Sequence, residues 1–345
     1  MLQGVSKRLL LVASGAGALV IGIALALVVV AAGGDGSGTP TASTGSVFRT
    51  TSRSSDIVVL ELATGRIRPV TRRQGRYLAV SSPTWSPDGR RLAFAQQTCP
   101  HCPFRIAVVD ASGGQARAVT GPRRDVNEPS WSPSGDRLAV TTSEHNERSL
   151  ALVNLPSGRI QELEPHLEEG SEGEEGEEEE IEAPNHPAFS PDGRSIAFDA
   201  EASQERTSLR LLDVASGEVQ AVESKAHNNG YPTFSPSGRR LAFSRTDAAF
   251  RWDLCVAPLD GQDQVCLTRG PANDTEPSWS PKGRSIVFAS DREDPTVGLR
   301  SLYVVRPDGR GLRRLTTGFD DGAPAFSPDG ALVAFVRRQI VEVER

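Results

Sequence analysis

Six copies of one short motif, spaced by the length of four short strands, predict an all-β chain folded as a six-bladed β-propeller of four-stranded antiparallel blades. The copies open at Pro83 (PTWSPDGRRLAFA), Pro129 (PSWSPSGDRLAVT), Pro187 (PAFSPDGRSIAFD), Pro232 (PTFSPSGRRLAFS), Pro277 (PSWSPKGRSIVFA) and Pro324 (PAFSPDGALVAFV). Their starts lie 46, 58, 45, 45 and 47 residues apart, and a period in the mid-forties is the size of one blade. A hairpin pattern, Ile57 to Thr71 (IVVLELATGRIRPVT), precedes the first copy, while the last copy has no full partner after it. That offset is what a ring needs, because the N-terminal hairpin can complete the final blade and leave no long edge open.

Each element of the repeat has a local cause. Ser-Pro-Asp-Gly puts Pro, Asp and Gly where a type I turn prefers them. An aromatic precedes the turn (Trp85, Trp131, Phe189, Phe234, Trp279, Phe326), and an alternating strand such as Leu92-Ala93-Phe94 follows it. A second hairpin then completes the unit, as in Ile106–Asp110 and Ala118–Thr120. At the C-terminus, Gln339–Glu344 (QIVEVE) also alternates like a strand and competes with the N-terminal hairpin for the last blade.

The N-terminus reads as an address. Residues 1–8 form a short tail ending in Lys7 and Arg8, and residues 9–32 are uncharged throughout. As one helix that run is roughly 36 Å long, against a hydrocarbon core of about 30 Å. It is read as a transmembrane signal-anchor, with Val30-Ala31-Ala32 offering the small residues at which cleavage would instead release the chain. Either way the remainder is exported, since Lys7 and Arg8 stay inside. Residues 33–50 are a Gly/Ser/Thr-rich flexible linker, and 51–345 the propeller.

The formal net charge of −6 has a local source, because residues 162–182 hold 12 glutamates and no Lys or Arg. This segment accounts for the one long spacing and is expected to be a mobile acidic loop. No clustered Lys/Arg face exists outside it, so a nucleic-acid partner is not expected.

Six in-register copies of P-x-[WF]-S-P-x-G resemble the TolB-like, or WD40-like (PD40), propeller repeats of bacteria, over about residues 51 to 345. TolB itself carries an additional N-terminal domain that engages envelope partners; here an apolar segment and linker stand in its place. The resemblance implies a fold and a binding style, not TolB's own partners.

Comparing copies within the chain separates scaffold from site. Ser86, Pro87, Gly89 and their equivalents recur in all six, so they serve the blade. The third turn position varies (Asp88, Ser134, Asp192, Ser237, Lys282, Asp329), which marks turn formers rather than a metal or catalytic ring. The residue before each Pro differs most: Ser82, Glu128, His186, Tyr231, Glu276 and Ala323. Placed at the mouth of the channel, Glu128, His186, Tyr231 and Glu276 are the candidate binding ring, with ordinary polar residues at a wet channel as the bland alternative. As exposed groups, Glu128, Tyr231 and Glu276 are expected to tolerate alanine with little loss of stability.

Cys99-Pro-His-Cys102 matches a thiol-redox spacing but falls in a hairpin loop, where a small loop disulfide is the blander reading. Cys255 and Cys266 flank CVAPLDGQDQVC, which is symmetric about Asp260-Gly261; a turn there pairs Val256 with Val265 and sets the two cysteines opposite each other. Neither a metal site nor a cofactor is expected, and no G-x-S-x-G elbow occurs. The sequence therefore points to a monomeric, membrane-anchored scaffold of the cell envelope that binds an unidentified protein or small ligand and is not an enzyme. The alternatives are a metal-dependent hydrolase or lactonase with its site in the channel, and a thiol-redox protein using the Cys99–Cys102 loop.

Overall fold

A computed structural model describes residues 48–343, apart from 72–78, 100, 146, 168–180, 203–205, 223–227, 294, 296–297 and 318. The helix expected over residues 9–32 lies outside the described residues, among which no helix is long and apolar enough to cross a membrane.

Six sheets follow one another along the chain. Blade I comprises Ala79–Trp85, Arg91–Gln97, Arg105–Asp110 and Arg117–Ala118. Blade II comprises Asp125–Trp131, Arg137–Glu144, Glu147–Asn154 and Ile160–Glu162. Blade III runs Glu182–Phe189, Ser195–Ala202, Arg206–Asp213 and Glu218–Val222. Blade IV runs Asn229–Phe234, Arg240–Thr246, Trp252–Pro258 and Val265–Cys266. Blade V runs Asp274–Trp279, Ile286–Ser290, Ser301–Val305 and Arg313–Arg314.

Blade VI is built from both ends of the chain. Asp320–Phe326 and Leu332–Val343 are its inner strands, and Phe48–Glu61 and Ile67–Pro69 its outer ones. The expected competition does not arise. Residues of the QIVEVE stretch extend the second strand and pair with the N-terminal one, from Thr51 opposite Ile340 to Phe48 opposite Val343. Both fit because one long antiparallel pair uses the facing edges of both segments. The linker expected over 33–50 is correspondingly shorter, since pairing starts at Phe48.

Two further expectations change. Blade III has five strands, because His166–Leu167 adds in parallel outside Glu218–Val222. The acidic insertion is therefore narrower than residues 162–182: Glu162 belongs to blade II, His166 and Leu167 to blade III, and Glu182 begins an inner strand.

The core divides into six apolar clusters, one per blade interface. Ile57, Val59 and Val336 pack with Leu92 and Phe94 between blades VI and I, which closes the ring through the core as well as through the ladder. Phe94, Phe198, Phe243, Phe288 and Phe335, at one motif position, are all fully buried. The recurring Gly and Pro form a belt. A Cβ on Gly135 would lie 3.6 Å from Pro87, one on Gly283 3.7 Å from Pro236, and one on Gly89 3.7 Å from Pro328, across the closing interface. These turns also hold the six glycines at φ between +65° and +75°, which a side chain adopts only under strain. Within the turn, Ser86 Oγ donates to Asp88 Oδ1 at 2.5 Å and Arg90 N donates to the same oxygen at 3.1 Å. The turn aspartates are thus turn formers.

Candidate functional site

The six residues that precede the motif prolines share one backbone state. Ser82, Glu128, His186, Tyr231, Glu276 and Ala323 all have φ between +48° and +57°. A non-glycine residue in that region costs about 1–3 kcal/mol and persists only where its surroundings over-determine it. Here the cause is a bulge in each innermost strand: register shifts at these positions in all six blades, for example between Asn127 and Ser130 and between Thr275 and Ser278. A bulge re-aims the side chain it carries. The four candidates therefore lie in mid-strand, inside the channel wall, and not where the chain enters the strand.

Their side chains are also less free than expected. Glu128 and His186 are 22% and 29% exposed, and Glu276 20%. A left-handed residue in a bulge turns its N–H away from the ladder, and three of these N–H groups find carboxylates. His186 N donates to Glu128 Oε2 at 2.8 Å, Tyr231 N to Asp199 Oδ1 at 3.0 Å, and Ala323 N to Glu276 Oε2 at 2.6 Å. Each bond crosses from one blade to the next. Glu128 and Glu276 thus tie blades together, which overturns the expectation that alanine there is harmless.

His186 sits at the centre of a chain spanning blades II to IV. Its Nδ1 meets Asp199 Oδ1 at 2.9 Å and its Nε2 meets Glu128 Oε1 at 3.3 Å. Thr141 Oγ1 donates to Glu128 Oε2 at 3.3 Å. Burial alone would push the imidazole down, but the Glu128 and Asp199 carboxylates outweigh it and raise the pKa to about 9. At neutral pH His186 is a cation. Tyr231 packs against it with the rings tilted by 40° and centroids 4.0 Å apart, and meets Trp252 edge-on at 6.3 Å. Burial raises the Tyr231 phenol well above its ordinary value, with Glu276 and Asp199 adding to the effect.

Glu276 anchors the other side. Arg300 Nη1 donates to Glu276 Oε2 at 3.1 Å and Arg300 Nε to Asp320 Oδ1 at 3.2 Å, bridging blades V and VI. Burial would raise Glu276, but Arg300 and the Ala323 N–H hold it below the usual carboxylate range. The space this requires is kept by Gly322, where a Cβ would lie 2.6 Å from Arg300 Nη2 and 2.9 Å from Glu276 Oε2.

Sequence reasoning singled out Glu128, His186, Tyr231 and Glu276 but not their partners Asp199, Arg300 and Asp320. Asp199 had a signal. It ends the third motif copy, where the other copies end in Ala95, Thr141, Ser244, Ala289 and Val336. Asp320 had one too: the fourth residue before the motif Pro is Asp or Asn in four copies (Asp125, Asn228, Asn273, Asp320), and each accepts a backbone N–H. Arg300 lies outside the motif, on a loop.

Elsewhere, disulfides join Cys99 to Cys102 and Cys255 to Cys266. Cys255 lies directly opposite Cys266 and Val256 opposite Val265, while pairing stops there instead of running on to a two-residue turn. Among the described residues no group of three or more His, Cys, Asp or Glu is arranged to hold a metal ion.

Residues 181–343 match the family model described as the TolB beta propeller domain. The fold is similar to that of the protein assigned as TolB from Agrobacterium tumefaciens, with a TM-score of 0.67 at 21% identity, covering 83% of this chain and 99% of that one. It is also similar to TolB from Acinetobacter baumannii, with a TM-score of 0.58 at 18% identity over 81% of this chain and 63% of that one. The chain thus spans less than two thirds of the Acinetobacter protein. An oligogalacturonate lyase in complex with manganese gives a TM-score of 0.52 at 16% identity, covering 83% of this chain and 77% of that one. These are likenesses of fold, shared by proteins with different activities. No curated protein matches the sequence.

Proposed function

We propose that this TolB-type propeller works as a binding scaffold, held at the outer face of the cytoplasmic membrane by residues 9–32 and presenting the wall of its channel to a protein or ligand of the cell envelope. One observation carries the reading. Each of the six inner strands carries a bulge with one residue held at positive φ, and at that position the repeat varies widely, through Ser82, Glu128, His186, Tyr231, Glu276 and Ala323. A scaffold that spends backbone strain on re-aiming side chains, and leaves their chemistry open, suits recognition.

The test uses the soluble propeller from Val47 onward as bait against an envelope extract, beside a triple variant carrying Glu128→Gln, Tyr231→Phe and Glu276→Gln. Amides retain an oxygen for the inter-blade N–H groups, so the melting temperature of the variant should fall by no more than a few degrees. Loss of a captured partner with the fold intact supports the channel wall as the site. Full capture by the variant would place recognition elsewhere on the propeller.

A further inference from the structure

The Cys99–Cys102 loop has features that a structural staple does not need. It connects Arg91–Gln97 to Arg105–Asp110, and the equivalent loops of the next blades, after Glu144, Ala202 and Thr246, make the same connection without a disulfide. It is pinned by other bonds as well. Gln97 Nε2 donates to the Cys102 carbonyl at 2.7 Å, Phe104 N donates to Asp125 Oδ1 at 2.8 Å, and Gln96 pairs with Arg105 in the ladder. A bond spanning three positions closes a very small loop, and the entropy it removes from the unfolded chain is correspondingly small.

Its surroundings point to chemistry instead. Cys102 lines an open cleft of about 560 Å³ between blades I and II, together with His101, Arg123 and His145. Two carboxylates also line it, Asp125 and Glu144. Glu144 is paired with Arg124, and Asp125 is occupied by the Phe104 N–H and the Asn127 amide. The cleft wall is thus mixed in charge, and its carboxylates are already engaged by other partners. Exchange needs a sulfur that an incoming thiolate can reach, and Cys102 is only half-buried at the edge of this open cleft. Cys255–Cys266 differs at one sulfur, since Cys255 is fully buried within the sheet while Cys266 is half-buried, as Cys99 and Cys102 both are.

We propose that the Cys99–Cys102 disulfide is an exchange site that oxidises a dithiol of a protein docked at this cleft. A thiolate of the partner attacks Cys102 Sγ, the Cys99–Cys102 bond breaks, and its electron pair leaves on Cys99 Sγ, which takes up a proton. The partner's second thiolate then attacks its own sulfur in the mixed disulfide and releases Cys102 as a thiolate, which is protonated in turn. The partner dithiol loses two electrons and two protons to become a disulfide, and Cys99 and Cys102 end as thiols. This activity does not depend on the channel reading above.

The full chain in detergent is equilibrated with graded reduced and oxidised dithiothreitol, quenched with a maleimide, and each cysteine is mapped by mass spectrometry. Cys99–Cys102 is expected to open, in the folded protein, at a dithiothreitol concentration at least tenfold below that which opens Cys255–Cys266. A Cys99→Ser variant should trap glutathione at Cys102 from oxidised glutathione, and the Cys99→Ser, Cys102→Ser double variant should melt within a few degrees of the parent. Opening of both pairs together, opening only on unfolding, or a large drop in melting temperature in the double variant would each make the bond a staple and overturn the proposal.

Discussion

Replacing His186 by glutamine removes the cation held between Glu128 and Asp199 and makes a pH test possible. The imidazole is raised from 6.5 to about 9 in the folded protein. At about 1.4 kcal/mol per tenfold change in proton affinity, that shift is worth roughly 3 kcal/mol. With 29% of the side chain open to channel water, screening brings the expected figure to about 2 kcal/mol. The sign follows from the direction. A histidine that binds its proton more tightly when folded stabilises the fold fully below pH 6.5, and that stability drains away as pH rises through about 9. Urea unfolding of the parent and the His186→Gln variant, followed from pH 6 to pH 10, isolates the effect, because other groups titrating above pH 9 are common to both. The gap between the two curves should shrink by about 2 kcal/mol across that range. Curves that stay parallel would mean that His186 is not held as a cation between the two carboxylates.

Two further substitutions test the geometry around the channel. Gly322→Ala pushes a methyl group into an Arg300 guanidinium pinned by both Glu276 and Asp320, so the variant should lose about 1–3 kcal/mol in denaturant unfolding; an unchanged midpoint would mean the arginine is not held there. Asp253, raised to about 6 by burial and by the neighbouring Asp274 and Asp247, ionises at a cost to the fold, so that stability falls as pH rises from about 4 to 6. Asp253→Asn should raise the melting temperature at pH 7 by the equivalent of about 1 kcal/mol after screening, and change little at pH 4.

The blades were legible because every one of them solves the same problem with the same residues. Gly89 and its five equivalents must sit on a neighbouring proline at positive φ, so repetition in the sequence reports repetition in space. The ring positions were legible for the opposite reason, since Glu128, His186, Tyr231 and Glu276 vary where the scaffold does not. What those side chains touch was hidden. Asp199 reaches Tyr231 N across a blade interface, and Arg300 joins Glu276 to Asp320 from outside the motif. Such contacts depend on how neighbouring blades are set against each other, which no within-repeat pattern records. The same holds for the acidic segment, whose N-terminal flank, His166–Leu167, is drawn into blade III by a parallel pairing with Glu218 and Val219 that has no short-range signature.

The composite sixth blade also sets a clock. Leu332, the first residue of the strand that pairs with Phe48–Glu61, lies 271 positions after Glu61. At about 5–20 residues per second of synthesis, the N-terminal strand waits roughly 15–50 s for its partner, far longer than the microseconds in which a hairpin forms. During that interval it has an unpaired edge to offer to any other strand, including the same strand of another nascent copy. Five blades can assemble on the ribosome's schedule, but the first strand made is among the last to be protected.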